Sequence, residues 1–243
     1  MSVDLRTPAY PLPPADAPLV VFDFDHTLYD GDSGTHLVRW LLRRRTWRYV
    51  AAILVSPFVA PLFAFVHLRR IPISAYLWLA TIGLHRRRDL DELIDRYVLA
   101  HRAELAERLL PQALEVLRAH REAGDRVVVA TGAPPELARA ILDFVAHADV
   151  PVLGTETGPR LGAVMARRHC HAGNKLTMLA EAGFPGTIAK AYSDSTADLP
   201  LLRAAVHPVV VNPKPGAVDT FRRALGEAVD IRDWGACGRW TPR

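Results

Sequence analysis

Two aspartates separated by one residue, Asp23 and Asp25, follow the apolar run "LVVF" and precede Thr27 in the stretch "DFDHT". Carboxylates this close repel each other, and the repulsion lifts the pKa of one of them. A divalent cation relieves the repulsion. Unequal pKa values let one carboxyl act as an acid while the other stays ionised as a nucleophile. Standing alone, such a pair is more often a turn or a helix cap, but three other stretches change the reading. "RVVVATG" ends an apolar run with the hydroxyl of Thr131 and the backbone of Gly132, which suit a phosphate. "HCHAGNK" leads to Lys175, and "AYSDSTAD" places Asp194 and Asp198 after a further apolar run. A hydroxyl, a lysine and four carboxylates are an inventory for phosphoryl transfer.

The elements that must position these groups are legible as well. Apolar runs at 19–24, 126–131, 150–153, 188–192 and 207–211 predict short buried strands. Helical patterns lie between them at 111–123, 135–145, 175–182 and 199–205, the first ending at Gly124, where a helix C-cap is expected. Alternating strands and helices argue for a three-layer, Rossmann-like α/β core with a parallel sheet covered on both faces. Ligands of such sheets bind at the carboxyl ends of the strands. Residues 33–110 break the alternation and read as helix throughout, a helical cap inserted after the first strand. The organisation is then a proline-rich irregular lead-in at 1–18, a core formed by 19–32 with 111–243, and the cap at 33–110. The lead-in lacks an apolar stretch long enough for a signal peptide, so the catalytic part is expected in the cytoplasm.

Smaller features add little chemistry. Two cysteines, Cys170 and Cys237, make no disulfide framework. His169, Cys170 and His171 are too close in sequence to close one tetrahedral metal site. "GPRLG" at 158–162 reads as a turn.

The formal charge is +4, and arginines cluster at 43–45 with Arg48, at 69–70 and at 86–88. Such a balance invites a nucleic-acid reading. The apolar runs between the clusters point to an anionic membrane surface instead. Residues 49–66 are 18 without a formal charge, interrupted by Pro57 and Pro61, and residues 71–84 are 14 more. A spanning helix needs about 20. Asp23 and Thr131 must meet in one site, so the insertion crosses a membrane an even number of times or not at all. Two crossings would place Arg69 and Arg70 on the far side, against the positive-inside tendency. The expectation is a hairpin at 49–84 that dips into the cytoplasmic leaflet with its arginines at the headgroups. The competing reading is an apolar helix pair buried on the core or between copies of the chain.

The order of the motifs carries a resemblance. "DFDHT", "VVVATG", "GNK" and "YSDSTAD" resemble, in sequence, the four motifs of the haloacid-dehalogenase superfamily, in particular its phosphoserine-phosphatase-like subfamily IB. Ser193 stands where the fourth motif usually has glycine, a change expected to leave the Asp194 carboxylate undisturbed. The resemblance implies that Asp23 attacks phosphorus and that Asp25 protonates the leaving group and later activates water. It implies Mg²⁺ held by the carboxylates of Asp23 and Asp194 and the main-chain carbonyl of Asp25. Thr131 and the amide of Gly132 would bind phosphoryl oxygens, and Lys175, held by Asp198, would balance charge. The cap stretches "HLVRWLLRRRTWRYVAAILVSPFVAPLFAFV" and "YLWLATIGLH" look like those of the phosphatidylglycerophosphatase C group. That likeness implies phosphatidylglycerophosphate as substrate and an enzyme on the cytoplasmic side of the inner membrane. Two rival expectations are a phosphatase of soluble substrates resembling phosphoserine phosphatase and a non-catalytic membrane-bound binding protein.

Overall fold

A computed structural model describes residues 13–65, 68, 70–145, 147 and 149–236. Most of the proline-rich lead-in, Val66 and Arg69 of the expected hairpin, and Cys237 lie outside the described residues. Six strands form one sheet in the order β3-β2-β1-β6-β7-β8, with every pairing parallel. They are β1 (Leu19–Phe22), β2 (Arg126–Ala130), β3 (Val152–Leu153), β6 (Ile188–Ser193), β7 (Ala205–Val211) and β8 (Asp230–Arg232). The alternation within β1 shows why three layers form. Val20 and Phe22 join an apolar cluster on one face with Val127, Val129 and Leu137, while Leu19 and Val21 join another with Val128, Leu179 and Phe221. A strand buried on both sides needs an unbroken apolar run, and β1, Leu-Val-Val-Phe, is one.

The covering helices are α6 (Pro111–Glu122), α7 (Pro135–Leu142), α8 (Asn174–Glu181), α9 (Leu199–Ala204) and α10 (Val218–Leu225). Gly124 follows α6 with φ +80°, the left-handed residue expected at a helix end. The pair β8 and α10 was not anticipated. β8 is three residues on the sheet edge, two of them exposed, and gives no apolar run to read.

Between β1 and β2 the chain forms α1 (Ser33–Arg43), α2 (Thr46–Val59), a 3₁₀ turn (Ala60–Ala64), α3 (Arg70–Thr81), α4 (Arg87–Ala100) and α5 (Arg102–Glu107). Asp32 caps α1 by accepting from the Thr35 N–H at 2.7 Å. The apolar runs divide their surface. Ala52, Leu77, Leu79 and Ala80 are buried, whereas Trp47, Val50, Ile53, Leu54, Phe58 and Ile71 are exposed. Ser56 Oγ and Tyr76 Oη lie 2.8 Å apart across α2 and α3. Arg48 donates to the carbonyls of Ala80 and Ile82, satisfying the carboxyl end of α3. Among the described residues no helix is long and apolar enough to cross a membrane.

The stretch 158–162 is more than a turn. Gly158 and Pro159 lie in β4 (Glu156–Arg160), which pairs antiparallel with β5 (Ala163–Arg168), and only Leu161 and Gly162 turn. This hairpin is fastened to α3. The buried Thr81 hydroxyl donates to the Val164 carbonyl at 2.6 Å and accepts from its N–H at 3.2 Å. Trp78 Nε1 donates to the Leu161 carbonyl at 3.1 Å, and the Gly83 N–H to that of Gly162 at 2.8 Å. Thr81→Val keeps the shape and removes the hydroxyl from these buried main-chain groups. The expected cost is about 1–3 kcal/mol, measured as a lower urea midpoint at unchanged slope.

Candidate functional site

The site is assembled where the parallel strands end. Asp23 follows β1 directly and extends the ladder, its N–H donating to the Tyr192 carbonyl at 2.8 Å. Thr131 follows β2, its N–H donating to Leu153 at 2.8 Å. Ser193 closes β6 and Asp194 follows it. Lys175 sits in the first turn of α8, and Asp198 ends the 3₁₀ turn Thr196–Asp198.

The centre is a buried ion cluster. Lys175, 2 % exposed, places Nζ 2.8 Å from Asp23 Oδ1 and 2.6 Å from Asp198 Oδ2. The Phe24 N–H donates to the same Asp23 oxygen at 2.8 Å. Burial by itself lowers an ammonium pKa. Here Asp198 and Asp23 outweigh it and hold Lys175 above the usual lysine range. Burial raises the Asp23 carboxyl, Lys175 opposes the rise, and Asp198 and Asp194 add to it. Asp25, partly buried, accepts from the Ser33 N–H at 2.8 Å, at the start of α1. Its carboxyl is nevertheless pushed up to about 7, first by burial and then by the charge of Asp32.

Four residues absent from the predicted set take part, three of them through their side chains. Ser193, expected to be neutral, is fully buried; its Oγ lies 2.8 Å from Asp198 Oδ2 and 3.4 Å from Asp23 Oδ2. Asn212 donates to the His26 carbonyl at 2.9 Å and accepts from the Trp234 N–H at 2.6 Å. His26 and Asn212 are both left-handed, with φ +59° and +45°, so Asn212 braces the sharp turn after Asp25. Ser33 contributes its backbone to Asp25, and Thr155 bonds the Gly132 carbonyl at 2.6 Å. Ser193 had a signal in its departure from the usual glycine; the others had none. Thr131 Oγ1 accepts from the Ala133 N–H at 3.1 Å, which leaves the hydroxyl proton to donate elsewhere.

The donor set is all oxygen, and Asp194, after β6, adds to the upward shifts of Asp23 and Asp25, after β1, which burial dominates. That pattern calls for more positive charge than Lys175 supplies and suits Mg²⁺, which takes one or two carboxylates and keeps several waters. Among the described residues no three His, Cys, Asp or Glu side chains form a metal-holding group. The set that the family resemblance implies, the carboxylates of Asp23 and Asp194 with the Asp25 main-chain carbonyl, asks for only two acidic side chains and fits this edge of the sheet. The Cys170 thiol is buried and pushed up to about 12, chiefly by burial.

The chain belongs to the haloacid dehalogenase-like hydrolase family, whose model matches residues 20–203. It is 30 % identical over 129 residues to a probable phosphatase of Mycobacterium tuberculosis, a match covering 51 % of this chain and 42 % of that protein. The chain thus matches less than half the length of that curated relative. A solved protein of unknown function from Bordetella pertussis Tohama I shares the fold with TM-score 0.65 and 21 % identity, over 90 % of this chain and 99 % of that one. A phosphoserine phosphohydrolase-like protein from Francisella tularensis matches with TM-score 0.57 and 14 % identity, over 88 % and 94 %. At these identities the two structures speak for the fold alone.

Lys175→Met would leave Asp23 and Asp198 buried without their shared cation. The expected cost is about 3–5 kcal/mol of unfolding free energy in metal-free buffer, and a loss below 1 kcal/mol would contradict the ion cluster. Ser193→Ala removes one hydrogen bond to a charged group and should cost about 1.5–3 kcal/mol in the same measurement.

Proposed function

We propose that this chain is a Mg²⁺-dependent phosphomonoester hydrolase that works through a phospho-aspartate on Asp23. The observation that carries the reading is the Asp23–Lys175–Asp198 cluster with Asp25 beside it. Here one carboxylate is held by a cation while its neighbour is pushed up to about 7. An oxygen of Asp23 attacks phosphorus, and the ester oxygen departs with the electron pair of its bond to phosphorus. Asp25, protonated at this stage, gives that oxygen its proton. Asp25 as carboxylate then takes a proton from water, whose oxygen attacks the phosphoryl group, and inorganic phosphate leaves with Asp23 restored. The Thr131 hydroxyl and the Gly132 N–H donate to phosphoryl oxygens, and Lys175 offsets charge on nucleophile and phosphate. Asp23, Asp194 and the Asp25 carbonyl would hold Mg²⁺, which when bound supplies positive charge against the phosphoryl oxygens.

The proposed substrate is phosphatidylglycerophosphate, hydrolysed to phosphatidylglycerol at the cytoplasmic face of the inner (plasma) membrane. The helical insertion supports this. Between Asp32 and Asp89 there are ten arginines and no Asp or Glu. Leu54 and Phe58 on α2 are 67 % and 79 % exposed, and Arg43, Arg44 and Arg45, where α1 gives way to α2, are exposed as well. An exposed apolar helix face preceded by exposed arginines fits an anionic lipid surface. A soluble phosphomonoester such as phosphoserine is the second reading. It is favoured by Ala52, Leu77, Leu79 and Ala80, apolar residues of the same runs that already have protein partners.

The deciding experiment is phosphate release by detergent-purified protein, with Mg²⁺ or EDTA, on the lipid and on phosphoserine side by side. Mg²⁺-dependent release from the lipid alone is expected. Preference for phosphoserine would keep the mechanism and discard the lipid. Asp25→Asn should retain Mg²⁺ binding and slow turnover by about 10²-fold or more. Leu54→Asp with Phe58→Asp should abolish co-sedimentation with anionic vesicles while release from phosphoserine, if the wild type shows it, is unchanged.

A further inference from the structure

The two halves of the phosphate site come from segments far apart in the chain, and one buried side chain ties them together. Thr131, Gly132 and Ala133 form the turn after β2; Cys170 lies on the segment that leads from β5 to Lys175. Thr155 stands between them and is 4 % exposed. Its hydroxyl donates to the Gly132 carbonyl at 2.6 Å and accepts from the Cys170 N–H at 3.2 Å. Its own N–H donates to the Ala133 carbonyl at 2.9 Å. The donor and acceptor capacity of one hydroxyl is thus used on both segments at once.

The residue before it shows how closely the turn is held. A Cβ on Gly154 would lie 2.5 Å from the Ala133 carbonyl oxygen and 2.7 Å from Pro135 N. Only glycine lets the end of β3 pass this near to the turn. The Leu153 carbonyl, one residue earlier, accepts from the Thr131 N–H at 2.8 Å. Leu153, Gly154 and Thr155 therefore all lie against the turn; Cys170 Sγ reaches the Leu153 carbonyl at 3.9 Å, and Thr155 is the residue whose side chain bonds both the turn and the lysine segment.

We propose that Thr155 is a positioning residue for phosphoryl binding, setting the spacing between the Thr131–Gly132 turn and the segment that delivers Lys175. It touches neither substrate nor nucleophile. The inference rests on the phosphatase reading, because the spacing matters only if both segments grip one phosphoryl group. Reactions held in such geometry are sensitive to shifts of about 1 Å.

The test separates shape from hydroxyl. Thr155→Val keeps the volume and loses both hydroxyl bonds; Thr155→Ser keeps the bonds and loses a methyl group; Thr155→Ala loses both. Each is compared with wild type for kcat and KM on p-nitrophenyl phosphate with Mg²⁺, for competitive inhibition by inorganic phosphate, and for melting temperature. The expected result is that Thr155→Val lowers kcat/KM and weakens phosphate inhibition by on the order of tenfold to a hundredfold. Thr155→Ser should stay within about twofold of wild type on both, even where its melting temperature falls. If Thr155→Val does not fold, Thr155→Ala against Thr155→Ser makes the same comparison. Activity that follows melting temperature rather than the hydroxyl overturns the role, as does wild-type phosphate inhibition in every variant. A wild type that neither turns over the ester nor is stabilised by phosphate overturns the phosphatase reading, and this role with it.

Discussion

Lys175 is the constraint on which the site depends. An ammonium group at this depth is tolerated only when paired and hydrogen-bonded. Asp23 and Asp198 supply the pairs, from opposite ends of the chain's long middle section. The cluster obliges three elements to meet: the end of β1, the first turn of α8 and the 3₁₀ turn after β6. None of these can shift without leaving a buried charge exposed to apolar surroundings. The arrangement is therefore stiff at Asp23, the proposed nucleophile, and carries more carboxylates than the single Lys175 ammonium offsets.

The sheet makes that meeting possible. Parallel strands bring their carboxyl ends to one edge, and each strand end is followed at once by a polar residue: Asp23, Thr131 and Asp194. The order β3-β2-β1-β6-β7-β8 sets β1 between β2 and β6, so the nucleophile candidate stands between the hydroxyl turn and the second pair of carboxylates. The left-handed His26, braced by Asn212, turns the chain sharply after Asp25 and sends it into α1, whose first N–H reaches back to Asp25.

The helical insertion and the core are less separate than an insertion implies. The β4–β5 hairpin comes from the later part of the chain yet bonds α3 at Thr81, Trp78 and Gly83. The same hairpin leads on to Cys170 and Lys175. One continuous path therefore runs from the apolar helices to the buried lysine. Arg48, one of the clustered arginines, is committed to the end of α3, whereas Arg43, Arg44 and Arg45 remain exposed.

What the amino-acid sequence determined by itself was local: which runs are apolar enough to be buried strands, and which polar residue stands at the end of each. Those two facts pointed to Asp23, Asp25, Thr131, Gly132 and Asp194 at the strand ends, whereas Lys175 and Asp198 were singled out by the order of the motifs, which the family resemblance supplied. The sequence did not disclose β8, whose three residues carry no apolar pattern, or the strands at 156–168, where glycine and proline read as a turn. The supporting bonds of Thr155, Asn212 and Ser193 were decided by tertiary structure alone. Each joins segments between 15 and 186 residues apart, apart from the local bond of Ser193 to Asp198. A hydroxyl or an amide has no periodicity to betray its partner, and its role exists only once packing has closed the distance to hydrogen-bond length. The same holds for the apolar helices: their composition is local, but which face is covered by α1 and which is left to solvent depends on packing.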